Sequence, residues 1–283
     1  MSTIVVCRAD NAVSAVKLGY PTYQAIPAGY RGNVINWGKS QLSYDGSVTI
    51  CNLPGSLMGT IDKRAFLKTL HANGISAPEL LEAGNRAPSG WVVRPNEHAE
   101  GNEFQLTISQ FEIMGGYHAT KFITPANEYR VWFFGRQNFL TAKRVPIPSL
   151  GQTESDPCKS KFGYSFGRPN YEKCVELIKR ALEVAKLDFG AFDMLWATDE
   201  RKWYILEVNT APSLDHSEVK NFFKTHFKTW EAAQPAVLEA RPVEPQRLPI
   251  PQVERVSSSP EKNIIKVRKE GGKWIELDLT HLV

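Results

Sequence analysis

Residues 187 to 213 read LDFGAFDMLWATDERKWYILEVNTAPS, and the patterning of this stretch constrains the fold more than any other. Ala191 to Ala197 and Lys202 to Asn209 each have the length and apolar content of a strand, and Thr198-Asp199-Glu200-Arg201 between them is a turn. A three-residue loop with Thr198 paired to Lys202 sets Trp196 opposite Tyr204, Leu195 opposite Ile205 and Asp193 opposite Glu207. Asn209 points the same way as Glu207, because side chains alternate along a strand, so two carboxylates and an amide share one face. Like charges directly opposite each other repel unless something positive lies between them. A hard cation such as Mg²⁺, which takes oxygen ligands and completes its octahedron with water and phosphate, resolves the conflict. An ordinary solvated hairpin would account for an Asp and a Glu alone; the added Asn209 favours the metal.

The same stretch contains Asp188-Phe189-Gly190, the tripeptide that binds magnesium in protein kinases. A kinase also needs a His-Arg-Asp catalytic loop upstream, an Ala-Pro-Glu downstream and a glycine-rich loop near its start, and the chain has none of them. The tripeptide is therefore read as helix exit and strand entry, with Gly190 ending the turn.

Composition sets the wider bounds. With 283 residues, of which 42% are apolar, the chain can bury a substantial core. No apolar run approaches the roughly 20 residues that cross a bilayer, and MSTIVVCRAD lacks the pattern of a signal peptide, so a cytoplasmic location and no membrane partner are expected. Cys7, Cys51, Cys158 and Cys174 have no metal-ligand spacing and are expected to be reduced. A net charge of +4 leaves nucleic acid open without indicating it, and suits an acidic or phosphorylated ligand equally.

The order of elements is mixed α and β. Ile4 to Cys7 is a strand, and Asp10 or Asn11 caps a helix reaching Leu18. Residues 19 to 60, rich in Gly, Pro, Asn and Ser, resist assignment. Thr60 or Asp62 caps a helix with Phe66, Leu67 and Leu70 on one face and Gly74 as its stop. Strands follow at Gly90 to Arg94, Phe104 to Ile108, His118 to Ile123 and Glu128 to Val145, the last folded at Gly135-Arg136-Gln137-Asn138. A helix capped by Asn170 runs from Tyr171 to Leu187. After Trp230 a proline-rich arm leads to a β-hairpin around Gly271-Gly272. The expected divisions are 1–60, a short α/β N-terminal domain; 61–230, the main domain; 231–262, the arm; and 263–283, the hairpin, a device by which two copies could exchange arms in a homo-oligomer.

Phe192-Asp193-Met194-Leu195 followed by Glu207-Val208-Asn209-Thr210-Ala211-Pro212 resembles the metal-binding end of the ATP-grasp superfamily. That superfamily includes D-alanine:D-alanine ligase, glutathione synthetase and the glutamate ligases of ribosomal-protein tails. The resemblance implies an α+β ATP-grasp fold, two α+β subdomains gripping ATP, behind a short N-terminal domain that helps to bind the second substrate. It implies that Asp193, Glu207 and Asn209 hold two Mg²⁺ ions against the ATP phosphates. Lys63 resembles a nucleotide-contacting lysine, and Arg94 stands where most relatives have a phosphate-binding lysine. The loop 96–101 departs from the family, with one glycine and two acids where Gly and Ser are usual; His98 lies in it. Lys121, Phe122 and Ile123 match the segment whose backbone reads adenine, and Glu128 the ribose-binding acid. Arg130, Lys143 and Arg144 fall where relatives place cations on the phosphates or the reacting carboxylate.

The expected activity is an ATP-dependent ligase joining a carboxylate to an amine through an acylphosphate, with Arg130 and Arg144 as catalytic cations. The amine or carboxylate could come from an amino acid, a peptide tail or a modified base, and Trp37, Trp91 and Tyr117 do not choose among them. A small-molecule kinase and a non-catalytic nucleotide-binding scaffold remain open alternatives.

Overall fold

The computed structural model describes residues 2–96, 105–107, 109–124, 126–147, 162–167 and 171–234, and two strands at 264–268 and 274–278. Contacts divide the chain into two units, 1–246 and 247–283.

The first unit begins with β1 (Thr3–Cys7), whose five residues are all buried, as in a parallel strand covered on both faces. A single 3₁₀ turn at Ala9–Asn11 leads into α1 (Ala12–Val16), shorter than expected, and Asn11 makes no side-chain cap. Residues 19 to 60 conceal three strands and a helix: β2 (Thr22–Tyr23), β3 (Gly32–Trp37), β4 (Val48–Cys51) and α2 (Pro54–Ile61). These strands are too short, or too rich in Asn and Gly, for periodicity to mark them. Together with β1 they form a parallel sheet in the order β2-β1-β3-β4.

Asp62 does cap the next helix, α3 (Lys63–Ala72), its carboxylate accepting the Ala65 N–H at 3.0 Å. Phe66, Leu67 and Leu70 are buried, and Gly74 at φ 63° ends the helix.

A second, antiparallel sheet contains β5 (Leu80–Glu82), β7 (Trp91–Pro95), β8 (Gln105–Leu106) and β10 (Tyr117–Lys121), in the order β5-β10-β7-β8. Beside it lies a ribbon of β6 (Arg86–Ala87) and β9 (Phe111–Glu112). Phe104, Ile108, His98 and most of the loop 96–101 lie outside the described residues.

The third sheet is antiparallel and five-stranded. Its members are β11 (Ala126–Phe134), β12 (Asn138–Val145), β13 (Gly163–Phe166), β14 (Phe189–Ala197) and β15 (Lys202–Asn209), in the order β13-β12-β11-β14-β15. Gly135 at φ 58° makes the β11–β12 turn, and Asn138 is already the first paired residue of β12. The two remaining helices of this unit are α4 (Tyr171–Ala185) and α5 (Ser217–Ala233); Asn170, the expected cap of α4, is outside the described residues.

One face of this sheet, through Val131, Phe133, Phe192, Met194 and Ile205, packs on Leu57, Phe66, Leu70, Ile178 and Leu182 of α2, α3 and α4. The opposite face is divided. Its lower part, Trp132, Phe189 and Ala191, packs on Ile35 and Trp37 of β3 and on Val219, Phe223 and Phe227 of α5. Its upper part is polar and forms the site described below.

The second unit contains β16 (Ile264–Arg268) and β17 (Trp274–Asp278), antiparallel with Arg268 opposite Trp274. Residues 231–233, expected to begin the proline-rich arm, are instead the end of α5, and 235–262 and Gly271-Gly272 are outside the described residues.

Gly190 does not end a turn. Lys186, at φ 53°, takes the left-handed conformation after α4, and Gly190 lies inside β14. It is required there because a Cβ would sit 2.8 Å from the Asn209 carbonyl oxygen and 2.9 Å from Phe133 Cζ. Gly190→Ala is expected to lower stability by about 1–3 kcal/mol, the usual consequence of overfilling a packed site; urea unfolding of the two proteins checks it.

His226 stacks on Phe134 and meets Phe222 edge-on, and burial lowers its pKa. The unfolded chain therefore binds the proton more readily than the folded one. Stability is unpenalised above the unfolded value of about 6.5 and declines as pH falls through it. In His226→Phe this acid-side slope, measured by thermal unfolding between pH 5 and 8, is expected to flatten.

Candidate active site

The β14–β15 hairpin turns differently from the expected three-residue loop, yet delivers the same pair. Ala197 pairs with Lys202, Trp196 with Trp203 and Leu195 with Tyr204, one residue out of the expected register. The turn holds four residues, and Arg201 takes φ 49°. Carried on unchanged, that register would bring Leu206 opposite Asp193. A β-bulge between Met194 and Asp193 absorbs one residue, so Asp193 pairs with Glu207 after all. Ile205 and Val208, three apart, both enter the core under the sheet, which leaves Leu206 and Glu207 together on the other face. Asn209 joins them, its amide nitrogen 3.3 Å from Asp193 Oδ2 and 3.4 Å from Glu207 Oε1.

The neighbouring strands surround these carboxylates with cations. Arg130 on β11 is directly opposite Asp193 and grips it with two bonds, Nε to Oδ1 at 2.5 Å and Nη2 to Oδ2 at 2.6 Å. Arg144 on β12 reaches Asp193 Oδ2 at 2.8 Å and Glu128 Oε2 at 3.1 Å. Lys63, at the start of α3, places Nζ 2.5 Å from Glu207 Oε2. Asp193 is only 5% exposed. Burial by itself would raise its carboxyl pKa, but Arg130 and Arg144 outweigh burial and hold it far below the usual carboxylate range.

Arg94 approaches from the second sheet. Burial lowers the pKa of its guanidinium, the carboxylates of Glu207 and Glu128 oppose that shift, and its Nε is buried without a hydrogen-bond partner among the described residues. His118, paired with Arg94 across β10 and β7, hydrogen-bonds through Nδ1 to the Asn96 side chain at 3.0 Å.

In the segment 121–123 two backbone donors are already engaged. The Lys121 N–H donates to the Glu79 carbonyl at 3.0 Å and the Phe122 N–H to the Gly90 carbonyl at 3.0 Å, so both serve the second sheet. The Lys121 ammonium pairs with Glu79 at 3.1 Å on the surface. Ile123 instead packs with Leu195, Tyr204 and Leu206, an apolar patch bordering the polar group.

Lys143 does not join the site. It pairs with Tyr129, whose ring packs on the helices of the opposite face, and alternation sends Lys143 to that side while Arg144 faces the carboxylates.

Two features had no signal in spacing. Tyr164 on β13 is opposite Arg144 and feels Arg130, Arg144 and Asp193; burial raises its pKa and the two arginines act against that. Asp188 of the kinase-like tripeptide is a clamp. Its carboxylate accepts the Asn52 N–H at 2.6 Å, while the Asn52 side chain accepts the Asp188 N–H at 2.7 Å and donates to the Phe189 carbonyl at 2.9 Å. Asn52, at φ 65°, thereby ties the end of β4 to the strand that carries Asp193.

Among the described residues no three His, Cys, Asp or Glu side chains form a metal cage. A Mg²⁺ ion held by one or two carboxylates, with phosphate and water completing its shell, needs none, and the hard oxygens of Asp193, Glu207 and Asn209 on one face fit that description. No helix among the described residues is long and apolar enough to cross a membrane.

No family model and no curated protein matches this sequence. Solved structures do match it in shape. The ATP-grasp ligase PsnB, complexed with a minimal precursor, superposes with a TM-score of 0.56 at 14% identity, over 81% of this chain and 99% of that one. The macrocyclase MdnC from Microcystis aeruginosa MRC, bound with precursor peptide MdnA, gives 0.53 at 12%, over 83% and 100%. D-alanine–D-alanine ligase from Bacillus anthracis gives 0.53 at 10%, over 82% and 99%. With its antiparallel second sheet, its five-stranded sheet bearing the acidic hairpin, and these likenesses across most of its length, the chain has the ATP-grasp fold.

Proposed function

We infer that this protein is an ATP-dependent ligase that joins a carboxylate to an amine through an acylphosphate. The observation that carries the reading is the grouping of Asp193, Glu207 and Asn209 with Arg130, Arg144 and Lys63 on one sheet face, with Arg94 directed at it from the second sheet.

A carboxylate is a poor electrophile because its leaving group would be oxide. In the first step a carboxylate oxygen attacks the γ-phosphorus of ATP and ADP leaves. In the second the amine nitrogen attacks the acyl carbon, inorganic phosphate departs and the nitrogen gives up a proton. Asp193, Glu207 and Asn209 would hold two Mg²⁺ ions, which neutralise phosphate charge when bound. Arg130, Arg144 and Arg94 supply fixed positive charge where negative charge accumulates, first on the transferring phosphoryl group and then on the oxyanion of the tetrahedral intermediate. Glu128 sits on Arg144, where it can also meet a ribose hydroxyl. The apolar patch of Ile123, Leu195, Tyr204 and Leu206 suits a purine ring. No side-chain nucleophile is required.

MdnC is bound with a precursor peptide and PsnB is complexed with a minimal precursor, which supports a peptide as one of the substrates here. A soluble, cytoplasmic enzyme is consistent with this reading, as is a homo-oligomer joined through the C-terminal arm.

The test is ADP and phosphate release from Mg²⁺-ATP across a panel of peptides, amino acids and amines, with the Asp193→Ala, Glu207→Ala double variant beside the parent. Release that requires both a carboxylate and an amine, and falls at least about 10³-fold in the double variant, is expected. Release without an amine would identify a kinase, and nucleotide binding without turnover on any pair a scaffold. The two faces of β12 give a sharper comparison: Arg144→Ala is expected to weaken Mg²⁺-ATP binding by about tenfold or more, while Lys143→Ala leaves it within about twofold, as calorimetric titration would read.

A further inference from the structure

Arg144 is held by more than its carboxylate partners. Its guanidinium carbon lies 4.2 Å from the centre of the Phe162 ring, and Tyr164 is its cross-strand partner on β13. A stack on an aromatic face engages the plane of the guanidinium and none of its five N–H donors, so it orients the group without using it up. Tyr164 is itself locked edge-on against Trp132 at 5.2 Å, Phe162 at 5.2 Å and His216 at 4.8 Å. A ring held on three sides by such contacts places its hydroxyl at one point. A free arginine loses about 2 kcal/mol of rotamer entropy when it is ordered. Here the folded protein has already ordered it, beside the carboxylates that would meet Mg²⁺ and the phosphates.

We propose that Tyr164 and Phe162 are positioning residues that aim Arg144 at the terminal phosphate of ATP and so set the preference of the site for ATP over ADP. The proposal rests on the reading above, in which Mg²⁺-nucleotide occupies the Asp193–Glu207 face. Neither residue touches the carboxylate or amine substrate in this account, so the test needs neither.

The experiment is calorimetric titration of the full chain with Mg²⁺-ADP and with a non-hydrolysable Mg²⁺-ATP analogue, for the parent, Tyr164→Phe and Phe162→Leu. Tyr164→Phe keeps the ring that packs on Trp132 and His216 and removes only the hydroxyl. The parent is expected to favour the ATP analogue. Both variants should bind ADP within about twofold of the parent and lose roughly threefold to tenfold of the preference for the analogue. The loss stays within about tenfold because Asp193 and Glu128 still hold Arg144. An unchanged preference in both variants, or an equal weakening of both nucleotides as a general loss of structure would produce, overturns the proposal. A parent that binds both nucleotides without preference also overturns it and leaves the ligase reading standing; a parent that binds neither removes the ligase reading itself.

Discussion

Asp193 is a carboxylate enclosed in the middle of a five-stranded sheet, and the rest of the site depends on how that charge is tolerated. Removing an ion of this size from water costs several kcal/mol, and the loss is recovered only with well-placed, hydrogen-bonded counter-charges. Two guanidinium groups meet that need, one on the adjacent strand in direct register and one on the strand beyond it. Because each arginine is tied to the same carboxylate, the order β12-β11-β14-β15 and the cross-strand registers are fixed electrostatically as well as by the backbone ladders. A slip of one residue would turn Arg130 into the core and leave Asp193 buried with half its partners.

The remainder of the first unit places this charged face. Below the sheet, α2, α3 and α4 form an apolar support, and α3 also directs Lys63 at Glu207. On the charged face, β3 and α5 cover the lower half around Trp37 and Phe189, so only the upper half remains for polar chemistry. The Asn52–Asp188 clamp holds the N-terminal sheet against the start of β14, and Asn36 extends the link by donating to the Asn52 carbonyl at 3.0 Å and to the Lys39 carbonyl at 2.9 Å. The Gly38 turn in turn abuts Ala211, just past Asn209. The small parallel sheet and the acidic hairpin are thus joined at both ends by direct contacts.

Asp193, Glu207 and Asn209 were legible because strand alternation is strictly local, and Arg130 and Arg144 because the family pattern extends across β11 and β12. The correct pair nevertheless arose from a different route: a longer turn was offset by a bulge, and the run Ile205-Leu206-Glu207-Val208, with its two core residues three apart, is the local trace of that bulge. Lys143 was misplaced because it adjoins Arg144 in sequence, whereas in a strand adjacent residues face opposite ways. The kinase-like tripeptide misled for a similar reason: Gly190 serves a close approach between strands, a contact with residues 133 and 209 that no local reading contains.

By itself the sequence determined the elements with strong periodicity, the helices at 63–72 and 171–185 and the long strands, together with the residue types able to hold a cation and phosphates. Those signals are short-range, since they follow from helical or strand repeat and from side-chain chemistry. Only the tertiary structure decided that Asp188 is a clamp, that Phe162 and Tyr164 lie beside Arg144, and which cations converge on Asp193. Each of those depends on residues distant in the chain meeting across a sheet, and the energy of such a meeting is a property of the assembled core, absent from any one segment.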